Sequence, residues 1–207
     1  MTTKEFLAEI CQNAFGDAYQ KEIRNMYDRS VAAGNYTEEE KEYKEATDYL
    51  RTSFDSKGIA LLDEYERTCA DIQAFSAAYG FQAGLLCGFK QFFTNDNDED
   101  GGFYKSVSQQ IAMMPNMRTY TENFGNIEKR NTLYSRLSSK SESVHTHMVA
   151  IDCAWSQRAY SASIYGFYCG YRAALMIIDE VMPLPFASTL IISKTLMMEH
   201  RLGFITQ

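Results

Sequence analysis

The sequence predicts an all-α protein, a helical bundle built on two long central helices. Three observations carry that expectation. Only Pro115, Pro183 and Pro185 interrupt 207 residues, so most of the chain is free to run as helix. Apolar residues recur at three- and four-residue spacing, the period of a helix with one buried face. Helix-opening signatures, a Ser or Thr followed three residues later by Glu, recur along the chain. A composition of 45% hydrophobic and 23% charged residues is that of a globular protein.

Taken in order, Thr2 with Glu5 opens a first helix whose apolar stripe is Phe6, Ile10 and Ala14. Asp17 caps a second that carries Tyr19, Ile23, Met26 and Tyr27 and stops at Gly34-Asn35. Thr37-Glu-Glu-Glu40 reads as a capping box, and three acids in a first turn suit the positive end of a helix dipole. That helix buries Tyr43, Ala46, Leu50 and Phe54 and ends near Asp55-Ser-Lys-Gly58. From Ile59 to Phe93 no proline intervenes, and Leu62, Tyr65, Cys69, Ile72 and Ala83 keep helical spacing. Asn95-Asp-Asn-Asp-Glu-Asp-Gly-Gly102 is a loop. Phe103, Val107, Ile111 and Met114 form a short stripe before Pro115. Thr119 with Glu122 opens a helix bearing Ile127, Leu133 and Leu137, and Ser139 with Glu142 opens a long one toward Val181. After Pro183-Leu-Pro185 a last helix covers about 187–201.

Two stretches match at an offset of 86 residues: Tyr79-Gly-Phe-Gln-Ala-Gly84 and Tyr165-Gly-Phe-Tyr-Cys-Gly170. Each lies late in a long helix that follows a shorter one. Residues 1–94 therefore read as an acidic helical-hairpin unit and 95–102 as an acidic loop. Residues 103–182 read as a second, diverged hairpin unit, and 183–207 as a C-terminal helix packed on the bundle. Gly80, Gly84 and Gly88 on one helix, and Gly166 and Gly170 on the other, fall four apart. Each costs about 1 kcal/mol relative to alanine within a helix. Such a face repays that cost where another helix approaches closely, so these glycines are expected to form the crossing of the two long helices.

Net charge is −7, divided as −10 over residues 1–100 and +3 over 101–207. That split excludes a uniformly basic nucleic-acid binder and describes a molecule with two electrostatic ends. Acids inside the first apolar stretch exclude a signal peptide. The longest apolar run, Ala173 to Ile178, is far short of the roughly 20 residues that span a bilayer. Five cysteines without a C-x-x-C pair, all in helical, mostly apolar stretches, read as reduced buried thiols, so a cytoplasmic location without membrane contact is expected.

No constellation of catalytic residues stands out, and a non-enzymatic protein without metal or cofactor is expected. Asp96, Asp98, Asp100 and Gly101 match an EF-hand loop in part, but position twelve is Val107 where a bidentate glutamate is needed. His145 and His147 are two apart, so on a helix they point to different faces. Surface charge offers better candidates. Glu38, Glu39 and Glu40, followed by Glu42, Glu45 and Asp48, form one acidic face, and Asp96, Asp98, Glu99 and Asp100 another. Lys105, Arg118, Lys129, Arg130, Arg136 and Lys140, with tyrosines interleaved, form a basic strip able to contact phosphates or an acidic protein.

Residues 34–93 run Gly34-Asn-Tyr-Thr-Glu-Glu-Glu40, a tyrosine-bearing helix, and a long helix closing on Tyr-Gly-Phe-x-x-Gly. This pattern resembles a family of short uncharacterised helical proteins from anaerobic Gram-positive bacteria and their mobile elements. The resemblance covers about residues 20–93, and reaches 103–181 through Tyr165–Gly170 and the helix layout. It implies a helical fold and a phage or mobile-element context, with no catalytic residues to transfer. In that context the expected function is anti-CRISPR-like: a binder that inhibits a host nucleoprotein such as a Cas nuclease. The alternatives are a homodimeric structural or regulatory protein, and a DNA-binding regulator that uses the basic segment 105–140.

Overall fold

A computed structural model describes residues 17–34, 36–93 and 118–181, with side chains for 21–34, 36, 38–89 and 126–180. Five helices and no strand occur among the described residues: α1 (Asp17–Ala32), α2 (Thr37–Ser53), α3 (Ser56–Phe93), α4 (Arg118–Ser138) and α5 (Glu142–Val181). The all-α bundle with two long helices is thus the observed fold. The opening signature at Thr2, the stripe at 103–114 and the helix at 187–201 lie outside the described residues.

α3 and α5, with 38 and 40 residues, are each about 60 Å long. They run parallel and pack against each other more extensively than any other pair. The crossing is made by glycine. A Cβ added at Gly80 or Gly84 would collide with the backbone carbonyls of Ser163 and Phe167. One added at Gly166 or Gly170 would collide with those of Ala77 and Phe81. At Gly88 the nearest atom is the Ala174 methyl, 2.6 Å from the added carbon. Carbonyl oxygens take the place of missing side chains, which directs glycine Cα–H groups toward them.

These contacts are reciprocal. Exchanging the two helices at the offset of 86 turns the Gly80–Ser163 contact into the Gly166–Ala77 contact, and likewise Gly84–Phe167 into Gly170–Phe81. The crossing therefore has a local twofold along the helix axes.

The shorter helices run antiparallel to the long ones. α2 packs on α5, and α4 packs on α3 and, less, on α5. α1 lies along the C-terminal half of α5, where Met26 Sδ is 4.0 Å from Cys169 Sγ. The two segments of the chain are thus interwoven: α2 of the first covers α5 of the second, and α4 of the second covers α3 of the first. Two apolar clusters result. One joins Leu50, Leu62, Tyr65, Leu137, Met148 and Ile151, and the other gathers Ile23, Phe81, Leu85, Phe167, Cys169 and Leu175 around the crossing. Tyr43, Ala46, Leu50 and Phe54 all turn inward from α2, as their spacing required.

Three helix starts differ from expectation. α2 begins with Thr37 inside the helix, and its N-cap is Tyr36 in a left-handed conformation, φ 61°, with no side-chain capping bond. The turn before it uses Gly34 at φ 94°, a conformation glycine adopts without strain. Glu40 cannot complete a capping box because its carboxylate is held elsewhere, as described below. α3 starts at Ser56 rather than Ile59, because the Asp55 carboxylate accepts from the Gly58 N–H at 2.8 Å. α5 is capped by Ser141 rather than Ser139: the Ser141 hydroxyl accepts from the Val144 N–H at 3.2 Å.

Alanine at Gly84 or Gly170 gains about 1 kcal/mol of helix propensity. It also drives a methyl into a carbonyl that neither helix can withdraw. Each variant should lose about 3 kcal/mol in urea unfolding. Unchanged or increased stability would show that the helices do not touch there.

Candidate partner-binding surface

Glu40 accepts three side-chain hydrogen bonds. Arg158 on α5 donates to it through both Nε (2.9 Å to Oε1) and Nη2 (2.6 Å to Oε2). Tyr27 on α1 donates to Oε1 at 2.6 Å. The Arg158 guanidinium also lies 4.0 Å from the centre of the Tyr43 ring and 4.8 Å from that of Trp155. Tyr43 in turn donates to Glu66 at 2.7 Å, and Arg51 reaches Glu66 and Asp63 at 2.9 and 2.8 Å. One network thus ties α1, α2, α3 and α5 together.

Its titration follows from that geometry. The hydrogen bonds from Arg158 hold the Glu40 carboxyl below its ordinary value, against the opposing effect of burial. Burial works against the Arg158 charge, but the bonds to Glu40 more than offset it and the guanidinium stays charged. Burial, then the bond to Glu40, raises Tyr27, which therefore remains a donor.

A second polar group borders the cluster around Leu50 and Leu62, against which Tyr43 and Trp155 also pack. Tyr65 donates to Asp152 Oδ1 at 2.6 Å, and Arg130 Nε lies 3.8 Å from the same oxygen. Burial pushes the neighbouring Cys69 thiol up to about 12, and Cys169 up to about 12, so both stay protonated and unreactive, whereas Cys153, expected to be buried, is exposed on α5. His147 stacks on Tyr49 with centroids 3.9 Å apart, while His145 meets the edge of Tyr134 at 6.4 Å. The two imidazoles have separate partners. Among the described residues no three His, Cys, Asp or Glu side chains are placed to hold a metal ion, and no helix is long and apolar enough to cross a membrane.

The acidic and basic candidates have different fates. Glu38, Glu39, Glu42, Glu45 and Asp48 are exposed along α2, with Lys41 and Lys44 among them. The Glu38–Lys41 contact is loose, at 4.0 Å between exposed groups. Glu40, expected on this face, instead turns inward to Arg158. The basic strip is largely engaged within the fold. Lys129 pairs with Glu64 at 2.9 Å, Arg130 with Asp152, and Lys140 Nζ sits 4.4 Å from the Phe54 ring centre. Arg136 is exposed near Glu64. Asp96, Asp98, Glu99, Asp100 and Lys105, and the Arg118 side chain, lie outside the described residues.

Arg158 and Asp152 drew no attention in the sequence, although a signal was there. Between Glu142 and Arg172 they are the only Asp, Glu, Lys or Arg on α5. Isolated charges in an otherwise uncharged helix mark inward-facing pairs.

No family model, curated protein or solved structure matches the chain.

Glu40→Gln removes a charge that Arg158 requires and should cost about 3 kcal/mol at neutral pH. Because Glu40 titrates lower in the folded state, its contribution is complete above the unfolded value of about 4.5. It disappears as pH falls below that value through the lowered folded one. Urea unfolding from pH 7 to 3 should show a smaller acid-linked loss in Glu40→Gln than in the wild type.

Proposed function

We propose that the protein is a non-catalytic binder of phage or mobile-element origin that inhibits a host nucleoprotein, in the manner of an anti-CRISPR protein. The acidic face of α2 carries this reading. Glu38, Glu39, Glu42, Glu45 and Asp48 are exposed on one helix, and Glu40 on the same helix is clamped to Arg158. An acidic helix held rigidly in this way suits a basic groove that otherwise receives nucleic acid: complementary charge steers encounter, and a fixed backbone lowers the entropy lost on binding. The resemblance of residues 20–93 to mobile-element proteins supports the same context. The DNA-binding alternative draws less support, because Lys129, Arg130 and Lys140 have partners within the fold.

Affinity capture from a bacterial lysate carrying a Cas system, with and without nuclease treatment, tests the proposal. The wild type should retain a nucleic-acid-binding effector, more strongly at low salt. The variant Glu39→Lys with Glu42→Lys and Glu45→Lys should keep its helical spectrum and lose at least about tenfold in retention, about 1.4 kcal/mol. Equal retention by both proteins would refute it.

A further inference from the structure

Among the described residues, three ion pairs join the two segments of the chain, and they share one polarity. Glu22 pairs with Arg172 at 3.5 Å, Glu40 with Arg158 at 2.6 Å and Glu64 with Lys129 at 2.9 Å. In each, the acid lies in residues 17–93 and the base in residues 118–181. The helix crossing by itself makes no such distinction. Tyr-Gly-Phe-x-x-Gly occurs on both long helices, and its glycine-to-carbonyl contacts are reciprocal, so the backbone of α3 would accept a second α3 as readily as α5.

We infer that these three ion pairs are a pairing code, which makes a first half (α1–α3) take a second half (α4–α5) as its partner rather than a copy of itself. At the offset of 86, Arg172, Arg158 and Lys129 correspond to Leu86, Ile72 and Tyr43. Two first halves joined at the crossing would therefore set Glu22, Glu40 and Glu64 against uncharged side chains. Glu40 is the decisive one. Its side chain is 26% exposed, and without Arg158 a carboxylate would sit there with no cation. Two second halves would leave Arg158 and Lys129 opposite Asn126 and Ala150. The surface of α1–α3 is thus a docking surface for an α4–α5 half, whether supplied by the same chain or by a second copy. The placement of these three acids and three bases on opposite halves is what specifies it. This inference rests on the fold and is independent of the proposed host target.

The test uses the full chain with a protease site at Gly101-Gly102, cleaved after folding and examined by native mass spectrometry. The cleaved protein should remain a complex of one first half and one second half, without first-half pairs. A second chain carries Glu22→Arg with Arg172→Glu and Glu64→Lys with Lys129→Glu, which reverses two pairs while keeping both partners. After cleavage it should also form unlike-half complexes. When the two cleaved proteins are mixed, combinations of a wild-type half with a reversed half should fall at least about fivefold below their statistical share. Mixed combinations at the statistical share, first-half pairs as abundant as unlike ones, or separation into monomers would each overturn the inference.

Discussion

Two helices can lie backbone to backbone only where the facing residues have no side chain, and the pairing of α3 with α5 depends on that contact. At Gly80, Gly84, Gly166 and Gly170 the carbonyls of the opposite helix occupy the position a Cβ would take. The crossing lies in the C-terminal halves of α3 and α5, while α2 packs on the N-terminal half of α5 and α4 on that of α3, around Leu62, Tyr65, Met148 and Ile151. Together with Gly88 these glycines forgo roughly 5 kcal/mol of helix propensity. The large side chains gathered around the crossing, Phe81, Leu85, Phe167 and Tyr171 among them, offset it by burial.

Charge then acts on this frame at two levels. Inside, Arg158 and Tyr27 donate to Glu40, Tyr43 donates to Glu66, and the Arg158 cation faces the rings of Tyr43 and Trp155. Outside, α2 keeps an acidic stripe whose helix cannot move independently, because the same segment supplies Glu40. The electrostatic imbalance between the two ends of the sequence is therefore in part an internal complementarity. The exposed acids of α2 take no part in that complementarity.

The residues foretold the fold class, the helix order and the inward faces well, because helical periodicity is local and prolines are rare. The glycines at 80, 84, 166 and 170 also had one economical reading, since four-residue spacing places them on one face whatever surrounds it. Glu40 shows where local reading stops. Thr37-x-x-Glu40 satisfies a capping box by sequence, yet its carboxylate is held by an arginine 118 residues away and Tyr36 becomes the cap. Ser141, two residues beyond the expected Ser139, caps α5 because its hydroxyl is the one that reaches the Val144 N–H. The basic strip looked like a surface because neither Glu64 nor the Phe54 ring could be placed beside Lys129 and Lys140 without the tertiary fold. That interweaving of short and long helices depends on contacts between distant segments, which no local pattern encodes.

The parallel glycine crossing can be observed directly in solution. In a protein labelled with carbon-13 at glycine, the Gly84 Hα protons should show nuclear Overhauser contacts to residues 167–171. Those of Gly80 should show contacts near 163, earlier along α5, as parallel helices require. Glycine Hα protons without any contact to α5, or Gly80 facing residues beyond those that face Gly84, would contradict the account.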